Sequence, residues 1–199
     1  MKVPGVTGVI LVGGKSRRMG QDKALLALGG RTLFDITLDA FREALGTVIL
    51  IGDRPERFTA QGLPVYPDIY PGSALGGLYT GLVRVETSHV FVSSCDLPYP
   101  CAGLIRHLTE LSPGNDVVVV ETGAGYEPLF AVYSQTCREP IRRQIERENY
   151  CVYDFYPEVT TRIVTPAEIV HLGDPERIFL NLNTPEEYRR IIQEGRTCP

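Results

Sequence analysis

Apolar residues in this chain come in short runs, and the runs alternate between two periods. Gly8–Val12, Thr47–Ile51 and Asp116–Glu121 are nearly continuous and rich in β-branched residues, the pattern of strands covered on both faces. Leu63–Tyr66, His89–Ser93 and Pro128–Tyr133 predict further strands, and Ile178–Leu182 a last short one. Between them lie helical patterns at Thr32–Leu45, Leu75–Val85 and Ala102–Leu111, with another running from after Tyr133 through Arg147. Thr32 and Asp35 resemble a capping box. Thr184-Pro185-Glu186-Glu187 supplies an N-cap, a proline at the first helical position and an acid at the third, so a final helix starts there. Residues 149–170 are only weakly periodic and are assigned loosely. Alternation of this kind predicts an α/β fold with three layers, a mostly parallel sheet between helices on both faces.

Composition narrows the classes. A chain of 199 residues suits a single domain spanning 1–199, and no repeat, linker or low-complexity segment divides it. A net charge of −4 argues against a general binder of nucleic acid or membrane, because a polyanion is not attracted overall. No apolar run is long enough to span a bilayer, and MKVPGVTG does not read as a signal peptide, so the cytoplasm is the expected compartment. Five cysteines, none in a C-x-x-C pair, predict reduced thiols and neither a disulfide framework nor a zinc site.

Against that acidic background, Lys15, Arg17, Arg18 and Lys23 put four of the 20 basic residues inside nine positions, directly after the first strand. In an open α/β sheet, ligands bind beyond the carboxyl ends of the strands, and Gly13–Lys23 falls there. Glycines bring backbone N–H groups close to a ligand, and the basic side chains suit phosphate. Two familiar phosphate motifs fail. A P-loop ending at Gly14-Lys15-Ser16 would need its first glycine at Val9, and the adjacent Gly13-Gly14 does not make G-x-G-x-x-G. A solvated basic turn is the competing explanation.

Three other stretches carry chemistry. Asp96, in SSCDLP, follows a strand end, where a carboxylate can hold Mg²⁺ against nucleotide phosphates, although a turn acid before proline has the same look. Pro71–Gly77 (PGSALGG) is a glycine-rich turn opening a helix, or simply close helix packing. Asn181 and Asn183, two residues apart, would share one face of the predicted last strand, with Asn183 also placed to help start the final helix.

In this order the stretches LVGGKSRRMGQDKALL, PGSALGG, CDLPY, EPLFAVY and NLNTPEEY resemble the MobA-type molybdenum cofactor guanylyltransferases over nearly the whole chain. The resemblance implies a Rossmann-like nucleotidyltransferase domain that joins GMP from GTP to the molybdopterin cofactor with Mg²⁺, releasing pyrophosphate. Carried over, Leu11, Gly13 and Gly14 would line the nucleotide with their backbone, and Arg18 and Lys23 would hold its phosphates. Asp96 would bind Mg²⁺, Asp68 would lie at the nucleotide, and Asn181 and Asn183 would face the pterin. Implied partners are the two substrates and, transiently, proteins that supply or receive the cofactor. The chain departs from the family pattern at Val12, where alanine is frequent, and in PGSALGG, which is longer than the usual G-P-L-A-G. A CTP-dependent enzyme acting on the same cofactor needs the same loop and the same acid. A non-catalytic nucleotide binder is the alternative from a different class.

Overall fold

A computed structural model describes residues 3–13, 23–53, 57–58, 61–182 and 184–193. Its centre is an eight-stranded sheet. The strands are β1 (Val3–Leu11), β4 (Leu45–Ile51), β5 (Val65–Tyr66), β6 (His89–Ser94), β7 (Val117–Thr122), β8 (Gly125–Tyr126), β9 (Phe130–Ser134) and β10 (Thr161–Val164). Seven of them lie in the order β10-β7-β9-β6-β1-β4-β5, and β8 pairs with β7 alone. A small hairpin, β2 (Ala27–Leu28) with β3 (Arg31–Thr32), stands apart and turns on Gly29-Gly30, both at positive φ.

The helices are α1 (Leu33–Ala44), α2 (Ala74–Arg84), α3 (Ala102–Glu110), α4 (Arg138–Glu146), the single turns α5 (Pro166–Ile169) and α6 (Pro175–Ile178), and α7 (Pro185–Gln193). Their starts follow local chemistry. Asp35 N–H donates to Thr32 Oγ1 at 3.0 Å while Thr32 N–H donates back to the Asp35 carboxylate at 3.3 Å, the capping box expected from the sequence. Thr184 and Glu187 form the same reciprocal pair at the head of α7.

The run of four valines in β7 shows why continuous apolar strands are needed. Val118 and Val120 face a core shared with α1 and α3, while Val117 and Val119 face a second core shared with α2 and α4. All four are fully buried. Each side chain removed from water in this way contributes about 1.5–3 kcal/mol before entropy is charged against it. α2 sits unusually close to β1. A Cβ at Gly81 would lie 2.8 Å from a Val9 methyl, and one at Gly77 would lie 3.0 Å from Leu11. Within PGSALGG, Gly76 and Gly77 are accounted for by close packing, whereas Gly72 lies in open space at φ 106° and serves the turn.

Two expectations change. Ile178–Leu182 is not a strand. Asp174 caps α6, with Pro175 at its start, and among the described residues the segment after it has no ladder partner, while Leu182 N–H donates to the Asp96 carbonyl at 3.0 Å. The edge of the sheet is taken instead by β10, from the weakly periodic 149–170 region, which pairs parallel to β7. In addition β9 runs antiparallel to both β6 and β7; apart from it and the two-residue β8, antiparallel to β7, the strands of this sheet pair in parallel. The amino end of β9 therefore lies at the carboxyl rim of its neighbours, with Phe130 opposite Ser93.

Candidate active site

The functional rim is built where β1 and β6 end side by side. Their parallel register pairs Leu11 with Ser94, and on its other side Leu11 pairs with Ile51. Val12 N–H still donates to Ile51 carbonyl at 2.9 Å, and the chain then leaves the sheet at exposed Gly13, where a Cβ would come within 3.4 Å of Gly52. Gly14 and Arg18 lie outside the described residues, as does the side chain of Lys23. The backbone of Lys23 opens a 3-10 turn, Lys23–Leu25, and the segment behind it is held by a small apolar cluster of Leu26, Leu28, Leu33, Ile36, Tyr99, Leu182 and Ile191. That cluster ties the returning end of the basic loop, the turn after Asp96 and the segment around Leu182 into one unit.

Asp96 stands two residues beyond β6, half-buried, with the Ser94 hydroxyl donating to its Oδ1. It lines a cavity of about 280 Å³ with Ser94, Glu127, Pro128, Phe130 and Asn181. Asn181, which the resemblance assigns to the pterin side, lines the same cavity as Asp96, and the Leu182–Asp96 backbone bond, not a strand face, brings its segment there. Asn181 Nδ2 donates to the Phe179 carbonyl at 3.3 Å, which fixes the amide locally. Asn183 lies outside the described residues. The donors on the cavity wall are hydroxyl, carboxylate and amide oxygen, with no thiolate or imidazole among them. That set fits a hard divalent cation such as Mg²⁺.

Asp68 lies elsewhere on the rim, beyond β5, three strand positions from β6, or roughly 14 Å at ordinary strand spacing. Its Oδ1 accepts from Tyr70 N–H at 3.1 Å and from Thr80 Oγ1 at 2.8 Å. Burial pushes this carboxyl above its ordinary value, with the Asp53 charge adding to the rise and the Thr80 and Tyr70 hydrogen bonds opposing it. The Thr80 hydroxyl comes from α2, whose head is capped by Ser73 accepting from Gly76 N–H at 3.0 Å.

Comparison with known proteins agrees with this geometry. The family model for the MobA-like NTP transferase domain matches residues 8–159. The chain belongs to the MobA-like NTP transferase family. It is 38% identical over 192 residues, 95% of its length and 94% of the other's, to a Pelotomaculum thermopropionicum protein named "Probable molybdenum cofactor guanylyltransferase". It is 31% identical to the molybdenum cofactor guanylyltransferase of Desulfosudis oleivorans, covering 96% of this chain and 98% of that one. Its fold matches the crystal structure of molybdopterin-guanine dinucleotide biosynthesis protein A from Archaeoglobus fulgidus with a TM-score of 0.83 at 19% identity, over 95% and 98% of the two chains. A protein of this family is a nucleotidyltransferase, and its sheet is the mostly parallel one expected from the strand–helix alternation, with the Rossmann-like fold that the resemblance implies. No described helix is long and apolar enough to cross a membrane.

Sequence reasoning about this MobA-like chain missed Glu127. The residue stands in the quoted EPLFAVY segment, yet nothing local reveals that the loop before β9 returns to the Asp96 rim. There its carboxyl is raised, first by burial and further by the Asp96 charge, against a hydrogen bond from Thr122.

Proposed function

We propose that this chain transfers GMP from GTP to the phosphate of the molybdopterin cofactor, releasing pyrophosphate and forming the guanine dinucleotide. The observation that carries the reading is the oxygen-lined cavity of Asp96, Ser94 and Asn181 at the joint carboxyl end of parallel β1 and β6. It supports the reading because the basic glycine-rich loop leaves β1 at that same rim.

The nucleophile is a phosphate oxygen of the pterin cofactor, already anionic, so no strong general base is required. An oxygen–phosphorus bond forms at the α-phosphorus of GTP as the bond to the leaving pyrophosphate breaks, and the electron pair leaves with pyrophosphate. The protein's work is then positioning and charge neutralisation. Arg18 and Lys23 are assigned to the phosphates, and the backbone of Leu11, Gly13 and Gly14 to the nucleotide. Asp68 is assigned to the nucleoside end, where Thr80 and Tyr70 hold its carboxylate still. Asn181 and Asn183 are assigned to the pterin side. Asp96 would hold Mg²⁺, which when bound supplies positive charge for the phosphate oxygens. The proposed setting is the cytoplasm, in keeping with the reduced thiols of Cys101, Cys137 and Cys151, and proteins that supply or receive the cofactor are the proposed transient partners.

The test is a nucleotide panel with molybdopterin cofactor and Mg²⁺, following pyrophosphate release. GTP should be used ahead of CTP and ATP. Equal or better turnover with CTP would replace guanylyl by cytidylyl transfer, and no turnover with any nucleotide would favour a binding protein. Asp96→Asn and Lys23→Ala should each lower the rate about a hundredfold or more while leaving the melting temperature nearly unchanged.

A further inference from the structure

We propose that Glu127 is a second carboxylate for the divalent cation that Asp96 is assigned to hold. The inference rests on the nucleotidyl-transfer reading and adds to it a residue that the reading does not use.

Topology brings Glu127 to the site. Because β9 is the one antiparallel strand among its neighbours, the loop that leads into it crosses the rim beside the end of β6. Three backbone hydrogen bonds then fix that loop. Glu127 N–H donates to Val120 carbonyl at 2.9 Å, Phe130 N–H donates to Glu127 carbonyl at 3.1 Å, and Ser94 N–H donates to Leu129 carbonyl at 3.3 Å. The last of these joins the loop to the residue whose hydroxyl holds Asp96. The fully buried Tyr133 hydroxyl adds a fourth restraint by donating to Pro128 carbonyl at 2.7 Å.

The side chain is oriented too. Thr122 Oγ1 donates to Glu127 Oε1 at 3.1 Å, and the half-buried carboxylate lines the same cavity as Asp96, Ser94 and Asn181. Among the described residues no lysine or arginine forms an ion pair with Glu127. A role confined to tying the hairpin would be met by an uncharged oxygen, since an amide carbonyl also accepts from a hydroxyl. A carboxylate at this place faces the Asp96 carboxylate across a small cavity, and a divalent cation would find both oxygens there. One or two carboxylates beside substrate phosphates are a usual protein share of a Mg²⁺ site.

The experiment is Mn²⁺ binding, followed by electron paramagnetic resonance of the free ion, in the presence of a non-hydrolysable GTP analogue. Wild type, Asp96→Asn, Glu127→Gln and Glu127→Ala are compared, with thermal melts in the absence of metal. Glu127→Gln keeps the acceptor for Thr122 and should melt within a few degrees of wild type, yet its Mn²⁺ dissociation constant should rise roughly tenfold or more. Glu127→Ala should show a similar loss of affinity. Wild-type Mn²⁺ affinity in folded Glu127→Gln overturns the inference, and if Asp96→Asn still loses the ion, the nucleotidyl-transfer reading survives. Wild-type protein with analogue that takes up no Mn²⁺, or takes it up equally in Asp96→Asn, overturns both.

Discussion

Removing one hydroxyl, in Tyr133→Phe, tests how the wall of the cavity is held. Tyr133 is fully buried in the second core; its hydroxyl donates to the Pro128 carbonyl at 2.7 Å and lies 2.9 Å from the Tyr156 hydroxyl. With the Tyr133 proton committed to Pro128, the Tyr156 hydroxyl is the donor of the second bond. Burial raises both phenols well above their ordinary value, so neither ionises over the accessible pH range. Tyr133→Phe keeps the ring and strands two partners, a carbonyl and a hydroxyl, each costing about 1–2 kcal/mol when buried and unpaired. The variant should lose about 2–4 kcal/mol, which for a chain of this length is roughly 4–16 °C in melting temperature. Tyr156→Phe leaves the Tyr133–Pro128 bond intact and should cost about 1 kcal/mol. The double variant should cost less than the sum, because the bond between the two hydroxyls is lost only once. Urea unfolding at unchanged slope, with thermal melts, measures all three. Tyr156→Phe proving as costly as Tyr133→Phe, or a strictly additive double variant, would refute this assignment of donors.

Two further outcomes bear on the fold. Gly76→Ala places a Cβ 1.9 Å from the Tyr70 carbonyl oxygen, a backbone atom that cannot swing aside, so it should destabilise by about 1–3 kcal/mol or more, whereas Gly46→Ala, with nothing within 4 Å, should be nearly silent in the same melt. Asp116 accepts from Ser134 Oγ at 3.0 Å, from Thr160 N–H at 2.9 Å and from the Thr136 hydroxyl. Burial pushes its carboxyl up, but the Thr136, Thr160 and Ser134 hydrogen bonds together outweigh burial and hold it below the ordinary value. A depressed folded value means the contribution is complete above about pH 4 and fades as pH falls through the lower folded value. The melting-temperature gap between wild type and Asp116→Asn should therefore be largest near neutrality and narrow from about pH 4 downward; a gap independent of pH would show that the charge is not what matters.

The parts of this protein decided by near neighbours in the chain are legible without coordinates. A run such as Val117–Val120 can be satisfied only between two apolar layers, so it announces a central strand wherever it occurs. Thr32 with Asp35 and Thr184 with Glu187 close their caps within one turn of helix, and both form as expected. Asp96 is readable for the same reason, since a carboxylate just past a strand must emerge at that strand's carboxyl end. What could not be read depends on which strand lies beside which. Ile178–Leu182 has strand composition but finds no strand partner among the described residues, while Thr161–Val164, with little periodicity, acquires one in β7. The reversal of β9 leaves no mark on its own alternation, because a strand's pattern is the same in either direction. Yet that reversal carries Glu127 to the Asp96 rim, and the packing of Leu182 with its hydrogen bond to Asp96 carries Asn181 there. Local chemistry thus set the elements and the acid at a strand end, and long-range pairing, whose energy no short window contains, decided which side chains share the cavity.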